Sequence, residues 1–148
     1  VYSEVELTSR YEINLENYCK ILNIEALTMI DMAKKDILPA VSRYIHELAD
    51  TALSKKSFIA SADCSYEQAL VEKLSELCGS SFKNIKALEN ALSSAADIHD
   101  TYALAMYYKD NVLTAMNTLR AGVDELESMT DARVWPYPSY GELLFSVK

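Results

Sequence analysis

Apolar residues recur along this chain at three- and four-residue steps, the spacing of one face of an α-helix, in four separate segments. In the first, Tyr11, Leu15, Tyr18, Leu22, Met29 and Met32 form a seam with Glu25 at its one polar step. Leu7, Ile13, Ile21, Ile24, Leu27 and Ile30 lie off that seam, so this helix is apolar on more than one face and needs cover on more than one. The second segment carries Leu38, Val41, Ile45, Leu48 and Ala52, with Pro39 near its start. A proline costs ~3 kcal/mol inside a helix and little in its first turn, which predicts a break or kink around 36–38, with one long kinked helix as the alternative. Positions 57–65 read as a connection, and Ser65 as the N-cap of the next helix.

The third segment shows Leu70, Leu74, Leu77, Ile85, Leu88, Leu92 and Ala95, with the seam shifted near Gly79. Such a stutter predicts a continuous or slightly bent helix, and Gly79-Ser80-Ser81 as a turn between two helices is the alternative. The fourth keeps its spacing through Ile98, Tyr102, Ala105, Val112, Met116, Leu119, Val123 and Leu126, interrupted by Lys109, with Asp97 or Asp100 available as a cap. These segments predict an all-α fold, an antiparallel bundle of about four helices over 1–129 crossing at about 20°. Beyond it the pattern stops. Trp135-Pro136-Tyr137-Pro138 cannot continue a helix, since each proline lacks a donor and biases its predecessor toward extended backbone. Residues 130–148 are therefore expected to form an extended arm anchored by Trp135, Tyr140 and Phe145, either back across the bundle or onto another domain.

Size and composition narrow the picture. A chain of 148 residues with 50% hydrophobic content fits one helical domain with a substantial core. A formal net charge of -8 without clustered Lys and Arg argues against nucleic acid and against anionic membrane surfaces. No run of about 18 apolar residues is present. Cys19, Cys64 and Cys78 are odd in number and lack Cys-x-x-Cys spacing, which fits reduced thiols in a cytoplasmic protein. The chain opens at Val1 within a helical pattern, as a piece of something longer would.

Candidate chemistry fails residue by residue. Neither His46 nor His99 has a Glu three residues before it, as a di-metal bundle requires. His46-Glu47-Leu48-Ala49-Asp50 departs from the helical zinc motif because Asp50 replaces the second imidazole, so His46 reads as a surface residue. Three scattered glycines cannot build a phosphate loop. Tyr11, Tyr18 and Tyr102 read as seam fillers with hydroxyls at the rim. Catalytic, cofactor-binding and metal residues are all expected to be absent.

Both ends of the chain nonetheless carry a family pattern. Trp135, Pro136, Pro138, Tyr140, Leu143, Leu144 and Phe145 fill the Trp-Pro-x-Pro-x-Tyr-x-x-Leu-Leu-Phe ending of the type III glutamine synthetases. Tyr2-Ser3-Glu4-Val5-Glu6-Leu7 and the stretch Asn23-Ile24-Glu25-Ala26-Leu27-Thr28-Met29-Ile30-Asp31-Met32-Ala33 resemble the segment that follows the catalytic domain in that family. The resemblance implies a parent that joins ammonia to glutamate through a γ-glutamyl phosphate, using ATP and Mg or Mn, and that assembles as a dodecamer of two stacked hexameric rings. It implies a helical, non-catalytic C-terminal domain here, whose partners are the catalytic domain of the same chain and neighbouring subunits. Leu7, Ile13, Ile24 and Leu27 are the expected interface, and the residues of the arm are expected to pack or dock. A free-standing helical interaction or effector-sensing module is the alternative that periodicity alone also fits.

Overall fold

A computed structural model describes residues 3–138 and 140–145. Among them there is no strand, and the all-α expectation holds. Helix α1 (Glu4–Met32) passes through a π-turn (Ala33–Ile37) into α2 (Leu38–Phe58). After a short link come α3 (Ser65–Ala95), α4 (Thr101–Tyr107), a second π-turn (Tyr108–Val112), α5 (Leu113–Met129) and α6 (Tyr140–Phe145). No helix among the described residues is long and apolar enough to cross a membrane.

The expected break near Pro39 is absent, and the long-helix alternative is what forms. Proline removes one backbone donor and crowds the carbonyl four residues back, so an α-turn cannot close there. The wider π-turn resolves the conflict: the Leu38 N–H donates to the Ala33 carbonyl five residues back, and the helix continues. The fourth segment has a second widening, where the Leu113 N–H reaches the Tyr108 carbonyl and both Tyr108 and Val112 turn inward. Asp100 is the N-cap of α4, its Oδ1 accepting from the Ala103 N–H at 2.7 Å. The third segment runs unbroken through Gly79. Ser65 does not cap α3 with its own hydroxyl; Asp63 accepts its N–H at 2.9 Å instead.

The chain divides into two compact units. The first comprises residues 1–31 and 83–120. On α1 its buried positions are Cys19, Leu22, Ala26 and Ile30; Leu22 belongs to the predicted seam, of which Leu15 and Met29 are partly covered. Tyr11 and Tyr18 are exposed, because at 100° per residue they lie at the edge of the face centred on Cys19, Leu22, Ala26 and Ile30. Tyr102, in the first turn of α4, is exposed as well, and the buried tyrosine of this unit is Tyr108 at the start of the second π-turn. The Tyr108 hydroxyl donates to Asn23 Oδ1 at 3.2 Å.

The second unit comprises residues 32–82 and 121–148. Its core gathers Ile37, Val41, Leu48, Leu74, Leu77 and Leu126, with Trp135 and Tyr137 packed against it. The seam's stutter places Ser81 in full burial. Gly122 of α5 lies opposite: a Cβ built there would stand 3.0 Å from Ser81 Oγ, so the missing side chain is what permits the approach.

The expected extended arm is corrected in part. Thr130 is buried and bonded to the Leu126 carbonyl, and Asp131 then folds the chain on itself. Its carboxylate accepts the Arg133 N–H at 2.8 Å, and its carbonyl accepts from Val134 and Trp135. Pro136 and Pro138 restrict only the residues before them, and past the second the backbone is free to coil, which it does at Tyr140–Phe145.

A helix-interior Gly→Ala change gains ~1 kcal/mol when the methyl group has room. Gly79 has nothing within 4 Å of that position, so Gly79→Ala should realise the gain in urea denaturation. Gly122→Ala should fall short of it in the native background and recover about 0.5–1 kcal/mol when combined with Ser81→Ala, which removes the opposing oxygen. Strict additivity of the two changes would contradict the contact.

Candidate docking surfaces

The interface residues expected on α1 are all solvent-facing. Leu7, Ile13, Ile24 and Leu27 are each more than half exposed, Ile24 the most at 63%. At 100° per residue, Ile13, Ile21, Ile24 and Leu27 gather on the side of α1 opposite Cys19, Leu22, Ala26 and Ile30. From Glu4 to Tyr18 only Leu15 is even partly covered. An uncovered stretch of this length is marginal as an isolated helix in water.

The arm residues separate into two groups. Trp135 is half-buried on the core of its unit, and Tyr137 is held by a 2.6 Å hydrogen bond from its hydroxyl to Asp36 Oδ2, on the first π-turn. Leu143, beside Trp135 and Pro136, keeps more than half its surface in solvent, as does Leu144, and Phe145 is 85% exposed. The Tyr140 side chain lies outside what the structure describes, as do Val1, Tyr2, Ser139 and residues 146–148. The α1 positions and the arm belong to different units.

A third surface has no periodic signature in the sequence. Between α2 and α3 lies a cleft of about 330 Å³ lined by Ala49, Ala52, Leu53, Lys56, Cys64 and Val71. Leu53 is 67% exposed. Beneath it Lys55 donates to Glu67 Oε1 and ties the two helices across their link. Glu67 is only 4% exposed, and its Oε2 finds no partner among the described residues. The hydrogen bond to Lys55 lowers the Glu67 pKa and raises that of Lys55, so both stay charged at neutral pH. Two ions twelve residues apart across a turn leave no pattern to read.

Among the described residues no group of three or more His, Cys, Asp or Glu is placed to hold a metal ion. His46 is mostly exposed and sits 3.4 Å from Asp50, one turn away. All three cysteines are free thiols. Burial raises the pKa of Cys19 and Cys78, which keeps both protonated and poor as nucleophiles.

Residues 1–56 match the family described as the glutamine synthetase C-terminal domain. A glutamine synthetase of Butyrivibrio fibrisolvens is 33% identical over 148 residues, covering 100% of this chain and 21% of that protein. The type-3 glutamine synthetase of Dictyostelium discoideum is 32% identical over 149 residues, 98% of this chain and 20% of its own length. A glutamine synthetase of Bacteroides fragilis is 26% identical over 150 residues, 99% and 21% respectively. The chain thus spans about a fifth of the length of the curated relatives it matches.

The two arm groups should separate experimentally. Trp135→Ala should cost about 2 kcal/mol in urea denaturation, below the full core range because the ring is half-buried, while Phe145→Ala should stay within about 0.5 kcal/mol. Equal effects would contradict the assignment. The turn that starts the arm has its own pH signature. Arg133 holds the Asp131 carboxyl down to about 2, below an unfolded value near 3.9. Its stabilisation is complete above the unfolded value and is lost as pH falls toward 2. Asp131→Asn should therefore lower the melting temperature at pH 7 and flatten its decline between about pH 4 and pH 2. An unchanged acid slope would count against the pair.

Proposed function

Because the chain belongs to the glutamine synthetase family as its C-terminal domain, we propose that it serves a type III glutamine synthetase as a non-catalytic structural and assembly element. The parent, on this reading, is a cytoplasmic enzyme that makes glutamine from glutamate and ammonia. ATP and Mg or Mn would act in its catalytic region; no residue of this chain is assigned to them. The partners are the catalytic domain of the same polypeptide and adjacent subunits of a dodecamer.

The supporting observation is α1. A helix with one apolar side on its own unit and a second apolar side in solvent satisfies only half of its burial requirement. Ile13, Ile24 and Leu27 supply the second side, with Leu7 exposed beside it near the start of the helix, and each leucine or isoleucine fully covered by a partner contributes ~2–3 kcal/mol. The relatives have about four-fifths of their length outside the aligned region, enough chain to provide that cover. In the second unit Trp135, Pro136 and Pro138 brace the arm, and Leu143, Leu144 and Phe145 supply a separate exposed apolar surface for docking; the Tyr140 side chain lies outside the described residues.

The test is made in the full-length parent. Ile24→Asp with Leu27→Asp should lower the oligomer mass seen by light scattering, while shifting the stability of the 148-residue chain alone by no more than about 0.5 kcal/mol per site. A full-sized, fully active oligomer carrying both aspartates would overturn the proposal.

A further inference from the structure

We propose that the cleft between α2 and α3 is a ligand site for a small neutral aromatic ring carrying one N–H donor, the indole class of molecule. The cleft lies wholly within the second unit, and its volume of about 330 Å³ accommodates a two-ring heterocycle. Ala49, Ala52, Leu53 and Val71 make its walls apolar, and the one carboxylate among them is that of Glu67. Glu67 is more than nine-tenths buried. Its Oε1 accepts from Lys55, while Oε2 is shielded from water and has no partner among the described residues. A carboxylate oxygen in that state has lost the hydrogen bond it makes in water, and a donor brought to it restores that bond.

The hydrogen-bonding inventory of the lining selects the ligand. The Cys64 thiol donates to the Ala52 carbonyl at 3.5 Å, and Gln68 Nε2 donates to Glu72 Oε1 at 3.0 Å. One acceptor is therefore open beside apolar walls, and the buried lining has no donor left for a ligand's own acceptor. A ligand with accepting atoms would leave them unpaired in the cleft, at a cost in affinity. The Lys55 ammonium already balances the Glu67 charge, so a second ammonium would enter against like charge. An indole meets every condition, since its rings are apolar and its single N–H donates without any accepting partner atom. Oε2 meets that N–H by a turn about the terminal torsion of Glu67, which is broad and soft. Lys56, the exposed cation of the lining, completes the site by placing its ammonium over the ring face. Neither α1 nor α6 lines the cleft, so the inference is independent of the role proposed above.

The test is equilibrium dialysis of indole against the full-length parent, with 1-methylindole as a second probe that has the same rings and cannot donate. Indole should bind saturably at one site per chain, and 1-methylindole about tenfold or more weakly, the loss expected when a charged acceptor is left without its donor. Ala52→Leu fills the cleft from a partly covered position and should weaken indole binding by a similar factor, while light scattering shows an oligomer of unchanged mass. The comparison of the two probes uses the unaltered protein and decides the matter alone if that variant does not fold. No saturable binding of indole, equal affinity for the two probes, or undiminished binding by the Ala52→Leu protein would overturn the proposal. Pentylammonium displacing indole and binding more tightly would overturn it as well, assigning the Glu67 carboxylate to a cation.

Discussion

Pro39 cannot donate a backbone hydrogen bond, and the way the chain accommodates that single missing N–H organises the whole second unit. The π-turn absorbs the deficit without ending the helix, so Ile37 enters the core while Asp36 stays on the outside. Asp36 is then in place to accept the Tyr137 hydroxyl, which holds the arm beside the start of α2. Trp135 packs against the cluster that Ile37 and Val41 begin. Had the helix simply stopped at the proline, neither the inward isoleucine nor the outward carboxylate would share this face, and the arm would lack its acceptor.

The helices themselves were legible because apolar spacing reports directly on which positions face a neighbour. Leu74, Leu77, Ile85 and Leu88 were readable this way, as was the unbroken passage through Gly79. What escaped was register within a helix. Both π-turns insert an offset that periodicity treats as noise: the interruption at Lys109 falls inside the second of them, where Tyr108 and Val112 are the buried positions. On α1 the error had a different source. The covered face is centred on Cys19, Leu22, Ala26 and Ile30, and Tyr11 and Tyr18 sit at its edge, a rotation that three- and four-residue spacing does not resolve. Of the candidate surfaces, the bare side of α1 showed in the surplus of apolar residues. The cleft between α2 and α3 did not, because it is bounded by Ala49, Ala52 and Cys64, residues whose importance comes from what their small size leaves open.

The exposed surfaces of this chain have a physical basis in the balance of burial. Each unit closes around a modest core of aliphatic side chains, while α1, α6 and the rim of the α2–α3 cleft keep isoleucine, leucine and phenylalanine in water. Such exposure is costly to solubility unless partners cover it, and the excess of acidic residues, 22 against 14 basic, offsets part of that cost by mutual repulsion between unassembled chains.

The packing of Trp135 also sets an order of events. Lys55 and Glu67 close a short link between adjacent helices, a contact that forms early because so little chain must be gathered. Trp135 packs against a cluster that includes Val41, nearly a hundred positions earlier in sequence, so during synthesis its docking waits until all of that intervening chain has been made. It is also the only tryptophan. The tryptophan fluorescence of these 148 residues therefore follows the closure of the second unit around Trp135 and is blind to the assembly of the helices that came before.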